Sequence, residues 1–391
     1  MRKFLSILLA VVLCFAVTVP AFAANTTSSL QFGTDGKFKI MQLNDTQDII
    51  LTDIGEIMLI DAAIEQEQPD LLVFNGDQIT DTFPNADVEG LKKCVSNLFD
   101  VINDKDIPFI VTFGNHDHDY DDIFPPAEQM EFYKQYSNCI IPDDVCDPGT
   151  YNVPIMSSSG DKIAFNIYMM DTNNKRADSD LLTGYEGVKP YQVEWYRQTS
   201  DELKAANGGE VVPSLLFQHI PVKEIYQLLD EVSFSEADDE AVFSIDEFKW
   251  FKLNDKVIDG AMGEVPCSEP LEGHTGQYQA WLEKGDIVGA WFGHDHVNNF
   301  YGRTDDGIML GYNGGTGFSV YGRGDDRSAR VFVIDENAPE SYETYEVTFE
   351  ELFFEIPFYL IDFFSPTILT TLGKILKFIV PGFVWDIILS F

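Results

Sequence analysis

Basic side chains are scarce in this sequence: 25 Lys and Arg face 65 Asp and Glu, a formal net charge of −40 over 391 residues. So acidic a surface repels nucleic acid and anionic lipid headgroups, which excludes nucleic-acid binding on electrostatic grounds. It repels phosphorylated substrates as well, unless something local reverses the sign. Cysteine is sparse too. Of five, Cys14 falls in a leader, and Cys94, Cys139, Cys146 and Cys267 allow three pairings. Cys139 and Cys146 flank a turn-like segment where a disulfide suits an oxidising compartment; buried free thiols are the alternative. Repeats and low-complexity linkers are absent, and there are only six histidines.

Long apolar runs are missing as well. Arg2 and Lys3, the apolar stretch Phe4–Val19 and the small-residue pattern Ala21-Phe22-Ala23 read as a secretory signal peptide over residues 1–23. The run is short for a membrane anchor. The expectation is an exported protein, extracellular or in the cell envelope, and losing the two basic residues takes the charge from −40 to −42. One domain is expected over 24–345 and a hydrophobic amphipathic tail over 346–391. Within the tail the longest charge-free run is Phe363–Gly373, well short of the roughly 20 residues a spanning helix needs. Ser365-Pro366 starts a helix there, with Ile368, Leu369, Leu372, Ile375, Leu376 and Ile379 on one face. It is read as docking on the domain or on a second copy; peripheral membrane contact is the alternative.

What is present is an alternation. Apolar strand-like runs at Phe38–Leu43, Leu71–Phe74 and Pro108–Phe113 are followed by polar loops, with helical patterns at Ile54–Gln66 and Val88–Ile102. Further strands are expected at Ile163–Met170, Val212–Gln218, Ile287–Phe292, Gly307–Gly311 and Ala329–Ile334, with helices at Tyr191–Ala206 and Gln277–Glu283. The pattern predicts an α/β domain whose later, closely spaced strands are partly antiparallel. Glu231–Glu247 carries seven acids and no base, and reads as a solvated acidic insertion.

Just past the strands stand Asp45 and Gln47, Asp77, Asn115 and His116, His219, and His294 with His296. Loops at the carboxyl ends of strands in an α/β sheet converge on one crevice. Carboxylates, an amide oxygen and imidazoles suit Mn, Fe, Zn or Co, and the absence of cysteine disfavours a structural zinc site. The donors are too many for one tetrahedral ion and fit two ions bridged by a carboxylate. On an extended segment His294 and His296 would point the same way, one to each ion, with Asp295 facing elsewhere. His118 and His274 lie outside this pattern.

Taken together, Asp45-x-Gln47, Gly76-Asp77, Gly114-Asn115-His116-Asp117, His219 and Gly293-His294-Asp295-His296 resemble the signature blocks of the calcineurin-like metallophosphoesterase superfamily. The segments Gly314–Gly317, Tyr321–Gly324 and Arg327–Val331 resemble the closing segment of its purple-acid-phosphatase-like branch. The resemblance implies a four-layer α/β/β/α sandwich of two mixed sheets. It also implies a phosphoester substrate and two metal ions, Mn, Fe or Zn. Asp45 and His296 would hold the first ion, Asp77 would bridge, and Asn115, His219 and His294 would complete the second. A water held between the ions would attack phosphorus, with His116 near the substrate phosphate and Asp117 orienting its ring. Phosphomonoesters are the expected substrates, with phosphodiesters or a non-catalytic phospholigand-binding domain as alternatives. Gln47 departs from the pattern, since the resembling proteins carry His there. An amide oxygen is a weaker ligand, and Asp81 is a candidate helper.

Overall fold

In the computed structural model, residues 30–48, 52–80, 86–175, 184–267 and 276–353 are described. The leader over 1–23, Asp81, His274 and the tail helix beyond Phe353 lie outside them. The architecture is α/β, as expected, with two large mixed sheets. One has five strands in the order Glu343–Thr348, Ser328–Asp335, Lys37–Leu43, Leu71–Asn75 and Phe109–Thr112. Its last three run parallel, and its first two are antiparallel additions. The other has eight, centred on the parallel run Ile163–Met170, Ser214–Gln218, Ile287–Phe292 and Met309–Tyr312.

The parallel strands are nearly continuous apolar runs because both faces are covered; Leu71–Asn75 is buried throughout. Between the sheets, Phe332 packs edge-on to Trp291 and Phe217, at ring-centroid distances of 4.8 and 5.5 Å. Each such aromatic contributes roughly 1.5–3 kcal/mol by burial. On the outer side of the five-stranded sheet, Phe99 of the helix Val88–Asn103 meets Phe74 at 4.5 Å and Phe109 at 5.1 Å. Against the eight-stranded sheet, Tyr196 and Leu203 of the helix Pro190–Ala206 and Trp281 of the helix Gln277–Lys284 share a core with Leu216, Ala290 and Phe292. Asp53 and Asp87 start the helices Ile54–Glu67 and Val88–Asn103, accepting from Gly55 and Gly90 N–H at 2.7 Å each.

Where the sheets meet at their carboxyl ends, the apolar interior gives way to amides. Asn75 Nδ2 donates to the carbonyls of Gln218 and Trp291, at 3.1 and 3.0 Å, and Gln42 Nε2 donates to the Phe292 carbonyl at 3.1 Å. These bonds fix one sheet against the other at the ends of the strands that carry the candidate ligands.

Three expectations change. The boundary at 345/346 falls inside the strand Glu343–Thr348, and Phe349 is buried against Phe318 and Leu59, so the packed domain continues into the helix Phe349–Phe353. Cys94, Cys139, Cys146 and Cys267 form no disulfide with one another, and Cys94 and Cys267 are buried. The acidic insertion is not merely solvated. Leu229–Val232, Lys249–Leu253 and Val242–Ser244 form a third, three-stranded sheet carrying Phe234, Phe243 and Trp250 in one aromatic cluster. Its strands are short and carry no regular alternation of apolar residues, so the surrounding carboxylates hide them in the sequence.

Candidate metal centre

All five loops arrive where expected. Asp45 and Gln47 follow the strand Lys37–Leu43, Asp77 follows Leu71–Asn75, and Asn115 and His116 follow Phe109–Thr112. His219 follows Ser214–Gln218, and His294 and His296 follow Ile287–Phe292. The ligand atoms of Asp77, His219 and His294 lie within 4.8 Å of one another.

The loops are held under strain. Asp45, Gln47, Asp77 and His294 have φ of 54°, 41°, 55° and 73°, a left-handed conformation that costs non-glycine residues roughly 1–3 kcal/mol each. Loop-to-loop bonds maintain it. Asp45 N–H donates to the Gly76 carbonyl at 3.1 Å, Gln47 N–H to the Asp77 carbonyl at 2.9 Å, and Asp48 N–H to the Gln78 carbonyl at 3.0 Å. Gly114 is required for contact: a Cβ there would stand 2.2 Å from Asp77 Oδ1.

His294 corrects one expectation. It sits in a turn at positive φ, with Asp295 N–H bonded to the Gly293 carbonyl at 2.9 Å, rather than on an extended segment. Asp295 turns away, accepting from the Cys267 N–H.

Two imidazoles are oriented by their far nitrogens. His219 Nδ1–H donates to the Asn75 carbonyl at 2.9 Å, and His296 Nδ1–H to the Tyr321 carbonyl at 2.8 Å. The Tyr321 ring also stacks on His296, 4.1 Å between centroids and 9° from parallel. Carbonyl partners of this kind set the tautomer of metal-binding histidines and leave Nε2 facing inward. His219 Nε2 lies 3.1 Å from Asp77 Oδ2 and 3.7 Å from Asp45 Oδ1; His296 Nε2 lies 3.1 Å from Asp45 Oδ1.

Three buried atoms, Asp45 Oδ1, Asn115 Oδ1 and His219 Nε2, have contacts but no directed hydrogen bond. Buried polar atoms without partners are costly, and a lone-pair donor facing carboxylate oxygens needs a cation between them. The residues therefore fit a metal. Without one, a proton takes its place. Burial disfavours a charged His219, yet Asp77 and Asp45 hold its pKa at about 10. Burial likewise raises the Asp77 carboxyl, but the His219 and His116 rings pull it far below the carboxylate range. His294, desolvated and beside His219, stays neutral with a pKa lowered to about 3, as a ligand must.

The role expected of Asp117 does not hold. Its buried carboxylate accepts from Asp77 and Gly114 N–H at 2.8 Å each, Gln78 N–H at 2.9 Å and Ile79 N–H at 3.2 Å. Burial and the Asp77 charge push its pKa up to about 7. Asp119 is the acid that meets His116, with Oδ2 2.7 Å from Nδ1. Adjacent residues of a helical turn point apart, while positions three apart share a face. His118 serves structure: its Nε2 lies 3.0 Å from buried Asp171, tying the same turn to the other sheet.

Among the supporting residues that the sequence did not single out, Asn44 Nδ2 donates to Asp45 Oδ2 at 2.6 Å. Tyr185 packs edge-on to His294 at 4.8 Å.

A family model described as calcineurin-like phosphoesterase matches residues 38–298. "Probable inactive purple acid phosphatase 14" of Arabidopsis thaliana is 27% identical over 328 residues, covering 75% of this chain and 74% of that protein. "Probable inactive purple acid phosphatase 29" of the same plant is 26% identical over 355 residues, 82% of each. "Phosphatase DCR2" of Saccharomyces cerevisiae is 25% identical over 340 residues, 79% of this chain and 53% of that protein. Among solved structures, "GAP50 the anchor in the inner membrane complex of Plasmodium" matches with a TM-score of 0.41 at 13% identity, over 80% of this chain and 89% of that one.

Proposed function

The chain belongs to the calcineurin-like phosphoesterase family, and on that premise we propose that it hydrolyses phosphomonoesters, as an exported protein, at a centre with two metal positions. The observation that carries this reading is the convergence of buried ligand atoms: those of Asp77, His219 and His294 lie within 4.8 Å of one another, and His296 Nε2 stands 3.1 Å from Asp45 Oδ1. Asp45, Asp77 and His296 would hold one ion; Asp77, Asn115, His219 and His294 would hold the other. When bound, the ions supply the positive field that an acidic surface lacks, and lower the pKa of the attacking water.

The rest is the work of the chain. Gly114 leaves room for Asp77 Oδ1 to accept from His116 N–H at 2.8 Å, so the loop bearing His116 is pinned to the bridging carboxylate. The partly exposed His116 ring, held by Asp119, would meet the substrate's phosphoryl oxygens and give a proton to the leaving alkoxide. Export rests on the sequence of residues 1–23 alone.

His116→Ala should lower turnover of an aryl phosphate about 100-fold with metal content unchanged by elemental analysis. Asp119→Asn should lower it less. If His116→Ala also strips the metal, His116 is a ligand and its proposed role is wrong. A bis-aryl phosphate turned over faster than the monoester would move the substrate class to diesters.

A second reading, a metal-containing domain that binds phosphorylated ligands without turnover, is favoured by the word "inactive" in the names of two relatives and by the Gln47 side chain described below. Metal retained with no turnover of either ester would decide for it.

A further inference from the structure

We propose that Gln47 makes the two metal positions unequal, so that the centre keeps one resident ion and takes the second only when the Gln47 carboxamide turns away. The inference rests on the metal-centre reading above. It starts from the direction of one amide. Gln47 is 4% exposed, and its Nε2, not its oxygen, faces inward. Nε2 donates to Asp77 Oδ2 at 2.9 Å and lies 3.4 Å from His296 Nε2. These two atoms belong to the bridging carboxylate and to the imidazole of the first position, so the amide nitrogen stands between ligands that an ion there would share.

An N–H donor cannot bind a cation, and it repels one. It gives Asp77 Oδ2 a hydrogen-bond partner instead. At the second position the group facing Asp77 Oδ2 is His219 Nε2, 3.1 Å away, itself an atom that would bind the ion, and the ligand atoms of Asp77, His219 and His294 lie within 4.8 Å of one another, so no side chain need turn there. Filling the first position therefore requires the carboxamide to rotate, turning Oε1 inward or withdrawing, and the bond to Asp77 is lost. The backbone gives little help. Gln47 is held at φ 41° with its N–H on the Asp77 carbonyl, so the change falls on the side-chain torsions. A single outer hydrogen-bond partner typically changes metal affinity 10- to 100-fold, and the gap between the two binding steps should be about that size. The second reading of function is one consequence at low metal; a rise of activity with free divalent metal is the other.

The test is a Mn²⁺ titration of the full-length, chelator-stripped protein. Calorimetry counts the steps, and electron paramagnetic resonance reports spin-coupled Mn pairs. Wild type should show one tight step and a second about 10- to 100-fold weaker, with the coupled signal appearing only in the second. Gln47→His should bring the two steps within about tenfold and give the coupled signal from the start. Gln47→Ala separates the proposal from an ordinary ligand role. Removing a blocking donor should leave the second step unchanged or tighter, whereas removing a ligand should weaken it. Two equal steps in wild type, or a weaker second step in Gln47→Ala, would overturn the inference while leaving the hydrolase reading intact. No tight step at all would overturn both.

Discussion

Replacing Asp77 with alanine should remove both metal binding and turnover. One carboxylate does three things here. Its Oδ2 faces His219 Nε2 at 3.1 Å, the same oxygen accepts from Gln47, and its Oδ1 holds His116 N–H at 2.8 Å. Without it, His219, His294 and His296 face each other with only Asp45 to balance them, and both proposed metal positions would lose a carboxylate. Loss of several kcal/mol of transition-state stabilisation makes the fall in kcat/KM at least about a thousandfold. Elemental analysis should find less than one ion per chain, with the circular dichroism of the folded protein retained, because the core lies away from this loop. A variant that kept its metal and lost only activity would place Asp77 outside the ligand set.

Asp117→Ala has an effect of a different kind. Four backbone N–H groups, from Asp77, Gln78, Ile79 and Gly114, converge on this buried carboxylate, and each buried donor left without a partner costs roughly 1–3 kcal/mol. The variant should lose about 4 kcal/mol or more of stability in urea denaturation, and with it the left-handed turn at Asp77. Activity lost at undiminished stability would instead restore the ring-orienting role that the sequence resemblance implied.

These two acids show how much of the site could be read in advance. The strand ends were legible because an apolar run that stops abruptly at Asp, Asn or His has few structural excuses when five such runs recur. Asp77, His219 and His294 accordingly come together. Which acid serves His116 was not legible. His116-Asp117 looks like a dyad in one dimension, but the chain turns as a short 3₁₀ helix over Asp117–Tyr120, and the partner moves to Asp119. Nor did strand periodicity give any weight to Gln42 and Asn75. They sit in otherwise apolar strands, yet their amides join the two sheets beneath the site. The positive φ at His294 and the inward nitrogen of Gln47 depend on contacts between loops far apart in sequence, which no local pattern carries.

Anomalous diffraction from crystals of the wild-type chain soaked in Mn²⁺ tests the central claim most directly. The account predicts a peak within bonding distance of Asp77, Asn115, His219 and His294. A protein that takes up no ion, or that places it away from these four side chains, would contradict it.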